Sequence, residues 1–187
     1  LKTSSAHIMK TALVALSLIL SGQAAYAGTQ DFLAQNGLIG KTPRQIIDEI
    51  NQPNTTQPLN FSASVTSTEL RLTDGKDSVS YPLGDKFYLS FAPYLNQTHP
   101  CFNHSLTSCR GELGNTAFNV NITDQTGKVI LNRTMTSYRN GFVGVWLPRN
   151  ITGTLKVTYN GMTASTPIAT TSDSQTCVTG LQLVKSA

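Results

Sequence analysis

The sequence predicts a mainly β protein with a small α N-terminal region, an antiparallel β-sandwich-like domain preceded by short helices. Three observations predict it. From about residue 60 onward, apolar and polar residues alternate in many short runs. Turn dipeptides such as Asp74-Gly75 and Asn160-Gly161 fall between those runs. Helical spacing of apolar residues is confined to the stretch before Pro58.

The chain opens with a targeting pattern. Met9 and Lys10 precede the apolar run Ala12 to Leu20, and the small-residue site Ala25-Tyr26-Ala27 follows. A positive start, a short apolar run and A-x-A read as a secretory signal peptide over 1–27, with cleavage after Ala27. The run is too short to span a bilayer. Residues 1–8, ahead of Met9, read as an over-extended start. No cysteine stands at the cleavage site, so a lipid anchor is not expected, nor is membrane association after cleavage. Losing Lys2 and Lys10 leaves twelve of the fourteen basic residues against ten acidic ones. These charges are scattered, which argues against a nucleic-acid partner.

Residues 28–58 read as a helical region and linker. Thr29 to Gln35 forms the first helix, interrupted by Gly37 and Gly40. Thr42-Pro43 supplies an N-cap and a first-turn proline for a second helix carrying Ile46, Ile47 and Ile50. Pro53 to Pro58 ends it. Residues 59–187 form the β domain, with strands expected over 62–72, 79–81, 86–94, 117–123, 128–135, 141–147, 153–159, 162–169 and 178–184. Asp124 to Gly127 and Asn160-Gly161 supply hairpin turns.

One stretch breaks this rhythm. Residues 96–114 form a long connection that carries His99, Cys101, His104 and Cys109. Long loops in compact domains are often functional. The spacing is His-x-Cys-x2-His-x4-Cys, and Cys177 is the third cysteine. In an oxidising compartment an odd cysteine must pair between chains, bind metal or do redox chemistry. Thiolates and imidazole suit Cu(I) and zinc, and thiolates reduce Cu(II) to Cu(I). The candidate metal ligands are Cys101, Cys109, Cys177, His104 and His99. The plainer alternative is a structural disulfide between Cys109 and Cys177 with an incidental thiol. The site requires folding to return Cys177 to the mouth of this loop.

Other chemistries fit less well. No C-x2-C or H-x3-H pair suggests a zinc finger, and no C-x-x-C-H suggests haem attachment. A blue-copper site needs two histidines, a cysteine and usually a methionine, and Met135 and Met162 lie far from the cysteines. No G-x-S-x-G elbow is present. The Asn-x-Ser/Thr triplets, such as the one at Asn103, read as compositional. Three classes stay open on residues alone: a copper protein, an exported structural or adhesive β domain with one disulfide, and a zinc-binding module.

The run Phe87 to Tyr94, Thr98-His99-Pro100-Cys101, His104-Ser105-Leu106, Cys109 with Gly111-Glu112-Leu113, the segment Gly141 to Pro148 and the late Cys177 together resemble the CueP family of periplasmic copper-binding proteins. The resemblance covers essentially all of the chain after the signal. It implies a helical N-terminal region with a β-sandwich-like domain, copper sequestration, Cu(II) reduction, dimers, and copper supply to a periplasmic Cu,Zn superoxide dismutase. It places the three family cysteines at Cys101, Cys109 and Cys177, with Cys101 as the redox thiol. Multiple turnover is not expected without an external reductant.

Overall fold

The computed structural model describes residues 20–186. Residues 1–19, most of the expected signal segment, lie outside the described residues. α1 (Leu20–Gln35) runs through the expected cleavage point after Ala27. It ends at Gly37, whose φ of +67° needs no side chain, and Leu38 N–H closes back on Leu33 O at 2.8 Å. α2 (Pro43–Ile50) starts as Thr42-Pro43 predicts. The Thr42 hydroxyl accepts from Gln45 N–H, and the Gln45 carboxamide oxygen accepts from Thr42 N–H. Its apolar face, Ile46, Ile47 and Ile50, is buried.

The expected strand over 62–72 is in fact two, β1 (Ser62–Val65) and β2 (Glu69–Thr73), folded antiparallel with Val65 opposite Leu70. Thr66 makes the break, because its hydroxyl accepts from the N–H groups of Thr68 and Glu69. β3 (Ser78–Pro82) follows the Asp74-Gly75 turn and completes the outer side of this sheet. β5 (His104–Ser105) adds to the other edge of β1, with His104 opposite Val65.

A second sheet has β4 (Lys86–Phe91) at its centre, between β8 (Val143–Pro148) and β11 (Cys177–Val178). β11 runs parallel to β4, whereas the other named strand pairs are antiparallel. The third sheet joins β6 (Ala117–Asp124), β7 (Val129–Thr136), β9 (Thr152–Tyr159), β10 (Met162–Ala169) and β12 (Val184–Lys185). At Asn160-Gly161 both φ angles are positive, +49° and +72°, as a two-residue hairpin turn requires. The expected strand over 178–184 resolves into β11 and β12 with an irregular run between them that buries Thr179, Leu181 and Leu183 and exposes Gly180 and Gln182. There Tyr94 N–H bonds Leu181 O and Leu183 N–H bonds Tyr94 O, whereas Ala92 N–H bonds Val178 O, so the two-residue step from 92 to 94 is matched by three residues from 178 to 181 and the regular ladder is broken.

Packing follows from the alternation. Phe87, Leu89 and Phe91 of β4, with Val143, Val145 and Leu147 of β8, face Phe118, Val120, Ile122, Leu155 and Val157 across the sandwich. β4 is buried on its other face as well. Tyr88 packs there with Ile46, Ile47, Val65, Leu70 and Leu72 in a second core shared by the helices and the β1 sheet. Gly144 lies on that face because a Cβ there would overlap the Tyr88 hydroxyl. The middle sheet thus separates two cores. The candidate site sits at its edge, where β11, β5 and the long loop meet. No described helix is long and apolar enough to cross a membrane.

Candidate metal centre

The loop over 96–114 is tied down at both ends. The Glu112 carboxylate accepts from Leu95 N–H at 2.5 Å and Asn96 N–H at 3.1 Å, and these donors lower its pKa. Gly111 N–H bonds Asn140 O at 2.6 Å. A Cβ on Gly111 would stand 2.9 Å from both Ala92 Cβ and Gly141 O, so only glycine lets the loop lie this close to the start of β8. Cys109 N–H bonds Ser105 O, and Arg110 donates to Cys109 O and Thr107 O.

Cys177 returns to this loop. Phe102 O accepts from both Thr176 N–H, at 2.8 Å, and Cys177 N–H, at 3.0 Å. This double contact draws Cys101 alongside Cys177, with Cα atoms 5.5 Å apart, and the two form a disulfide. The pairing of Cys109 with Cys177 raised from the sequence is therefore not the one formed. Cys109 keeps a free thiol, and its Sγ lies 3.6 Å from Cys101 Sγ. Cys177 is wholly buried, while Cys101 and Cys109 are half-buried.

His104 completes the group. It is 1% exposed, its ring packs 4.4 Å from the Phe142 ring, and its Nδ1 has no hydrogen-bond partner. Burial pushes its pKa down to about 3, so the imidazole is neutral at physiological pH with a lone pair to offer. One donor atom from each of Cys101, His104, Cys109 and Cys177 lies within 4.8 Å of every other. His99 stands apart from that group. It is exposed, and its Nε2–H donates to Arg110 O at 2.8 Å, so it braces the loop backbone.

Three sulfurs and a neutral imidazole form a soft donor set that suits Cu(I) and zinc better than hard, oxygen-seeking cations. In the oxidised form only Cys109 and His104 are strong donors. Reduction of the disulfide adds two thiolates. Two residues near the centre escaped the sequence reading as contributors: Thr176, whose only signal is adjacency to Cys177, and Phe142, whose ring walls the imidazole.

A family model described as periplasmic copper-binding protein CueP matches residues 45–182. The chain belongs to the CueP family. The CueP match takes in all three cysteines and both loop histidines. A crystal structure described as S.CueP is 62% identical, with a TM-score of 0.78, covering 83% of this chain and 98% of its own. No curated protein sequence matches the chain.

Proposed function

We propose that this protein is a periplasmic copper-binding protein that holds copper through Cys101, Cys109, Cys177 and His104 and reduces Cu(II) to Cu(I) with its thiols. One observation carries the reading. His104, buried and with its Nδ1 lacking a hydrogen-bond partner, stands with three cysteines, one donor atom from each of the four lying within 4.8 Å of the others. An unpaired buried polar atom is costly unless something occupies the position beside it, and a Lewis acid of soft character fits that donor set. Membership of a copper-binding family supports copper over zinc.

The redox step balances within the chain. The Cys101 and Cys177 thiolates give one electron each to two Cu(II) ions, leaving two Cu(I) ions and the Cys101–Cys177 disulfide. Cys109 and His104 remain as two donors, enough for one Cu(I). A dithiol reductant resets the pair by thiol–disulfide exchange, supplying two electrons and two protons. Onward transfer to a periplasmic Cu,Zn superoxide dismutase belongs to the same reading. It is supported by two half-exposed donors, Cys101 and Cys109, beside Phe102, which is 59% exposed.

The test adds Cu(II) to fully reduced protein with a Cu(I)-specific chelator present. The expected yield is two Cu(I) per disulfide formed, with Cys101→Ser strongly slowed. A Cys101→Ser protein that reduces copper as fast as wild type refutes the redox assignment. Tighter zinc than Cu(I) binding in matched chelator buffers refutes copper as the cargo. Transfer is tested by mixing copper-loaded protein with apo dismutase, either together or across a dialysis membrane. Equal rates in the two arrangements argue against a direct hand-off.

A further inference from the structure

Three segments far apart in sequence meet at the side chain of Thr176. The residue is wholly buried. Its hydroxyl donates to Val65 O of β1 at 2.6 Å and accepts from the backbone N–H of His104 at 3.0 Å. Its own N–H bonds Phe102 O at 2.8 Å, the carbonyl that also takes Cys177 N–H. Through these bonds Thr176 touches the backbone of His104 directly, of Cys177 by a peptide link, and of Cys101 through its neighbour Phe102. Cys109 follows through the bond of its N–H to Ser105 O, one residue beyond His104.

We infer that Thr176 is the positioning residue of the metal centre, its hydroxyl fixing the distance between the His104 imidazole and the sulfurs of Cys101 and Cys177. Thr176 is not a ligand in this account, and it acts through the backbones it joins. The two strands that flank it cannot set this spacing alone. β5 and β11 are each two residues long and belong to different sheets. Among the described residues, the hydroxyl bonds β1, the strand that carries β5, to β11 and its neighbouring ligand segment. A hydroxyl with both its donor and acceptor roles used on buried backbone groups fixes geometry in two directions. Donor placement within a fraction of an ångström governs how well such a site grips its metal. The consequence for copper rests on the proposed function, whereas the consequence for the disulfide does not.

The test compares Thr176→Val, which keeps the shape and removes both hydroxyl bonds, with Thr176→Ser, which keeps the hydroxyl. Two properties are read on the full chain. One is the equilibrium constant of the Cys101–Cys177 disulfide in dithiothreitol buffers without copper. The other is Cu(I) affinity of the reduced protein by chelator competition. Thr176→Val is expected to shift the disulfide constant by tenfold or more and to weaken Cu(I) binding by at least tenfold. Thr176→Ser is expected to stay within about threefold of wild type in both. If Thr176→Val does not fold, Thr176→Ala is measured against Thr176→Ser in its place. A valine or alanine variant that matches wild type in both readouts overturns the inference, as does a serine variant that falls as far as valine. Failure of the copper reading is distinguishable, because wild type itself would then not bind Cu(I) while the disulfide constant still reports on Thr176.

Discussion

His104 should make the oxidised apo protein lose stability in mild acid, with a size set by its burial. The folded imidazole has a pKa of about 3, against 6.5 for an unburied histidine. The folded-state value is the lower one, so the unfolded chain takes up a proton that the native protein refuses. The stabilising contribution is fully present above pH 6.5 and is lost as pH falls toward 3, at about 1.4 kcal/mol per pH unit. Between pH 7 and pH 5 this amounts to about 2 kcal/mol. No discount for solvent applies, because the ring is 1% exposed. The carboxylates with lowered pKa values, Asp74, Glu112, Asp124 and Asp173, start from 3.8 or 4.5, so their losses fall below this window. The assay is urea unfolding of wild type and His104→Gln at pH 7, 6 and 5. The comparison is of pH dependence and is insensitive to any constant offset in stability between the two proteins. Wild type should lose about 2 kcal/mol more than the variant on going to pH 5. Equal pH dependence in the two proteins would show that the imidazole is protonated in the fold and refute its burial as a neutral base.

Other outcomes follow from the packing and the covalent links. Denatured protein should contain one reactive thiol before reduction and three after it, with peptide mapping joining Cys101 to Cys177. The bridge spans 76 residues, so breaking it should cost about 4 to 5 kcal/mol of stability by chain entropy, measured as the difference in urea unfolding between oxidised and reduced protein. Gly144→Ala forces a methyl group into the Tyr88 hydroxyl and should lower stability by about 1 to 3 kcal/mol, read from the denaturant midpoint. Thr42→Ala removes the capping box of α2 and should cost about 1 kcal/mol, with loss of helical signal in circular dichroism.

Local rules made much of the fold legible. Thr42-Pro43 announced α2 because capping depends on residues within one turn. Asn160-Gly161 announced the β9–β10 hairpin because both positions need positive φ. The break at Thr66 was not legible. Val65 to Glu69 contains neither glycine nor proline, and the hydroxyl that turns the chain there looks like any strand threonine. The run over 178–184 alternates as a strand would, yet its neighbours offer only short stretches of backbone to pair with. At the site, the loop and its ligand types stood out in the sequence. The disulfide partner did not, because three cysteines allow three pairings and the choice falls to the carbonyl of Phe102. His99 sits two residues from Cys101 but faces Arg110 O, and adjacency along the chain says little about direction in a turn.

The bond between Cys101 and Cys177 has a mechanical side. It closes a covalent ring around the segment from β5 to β10. A single proteolytic nick in an exposed turn such as Asn160-Gly161 would leave both fragments tethered. A motor threading the polypeptide through a narrow pore would stall where two thicknesses of backbone must pass at once. Turnover of this protein by such machinery should therefore depend on prior reduction, so the same electrons that arm the cluster would also unlock the chain for destruction.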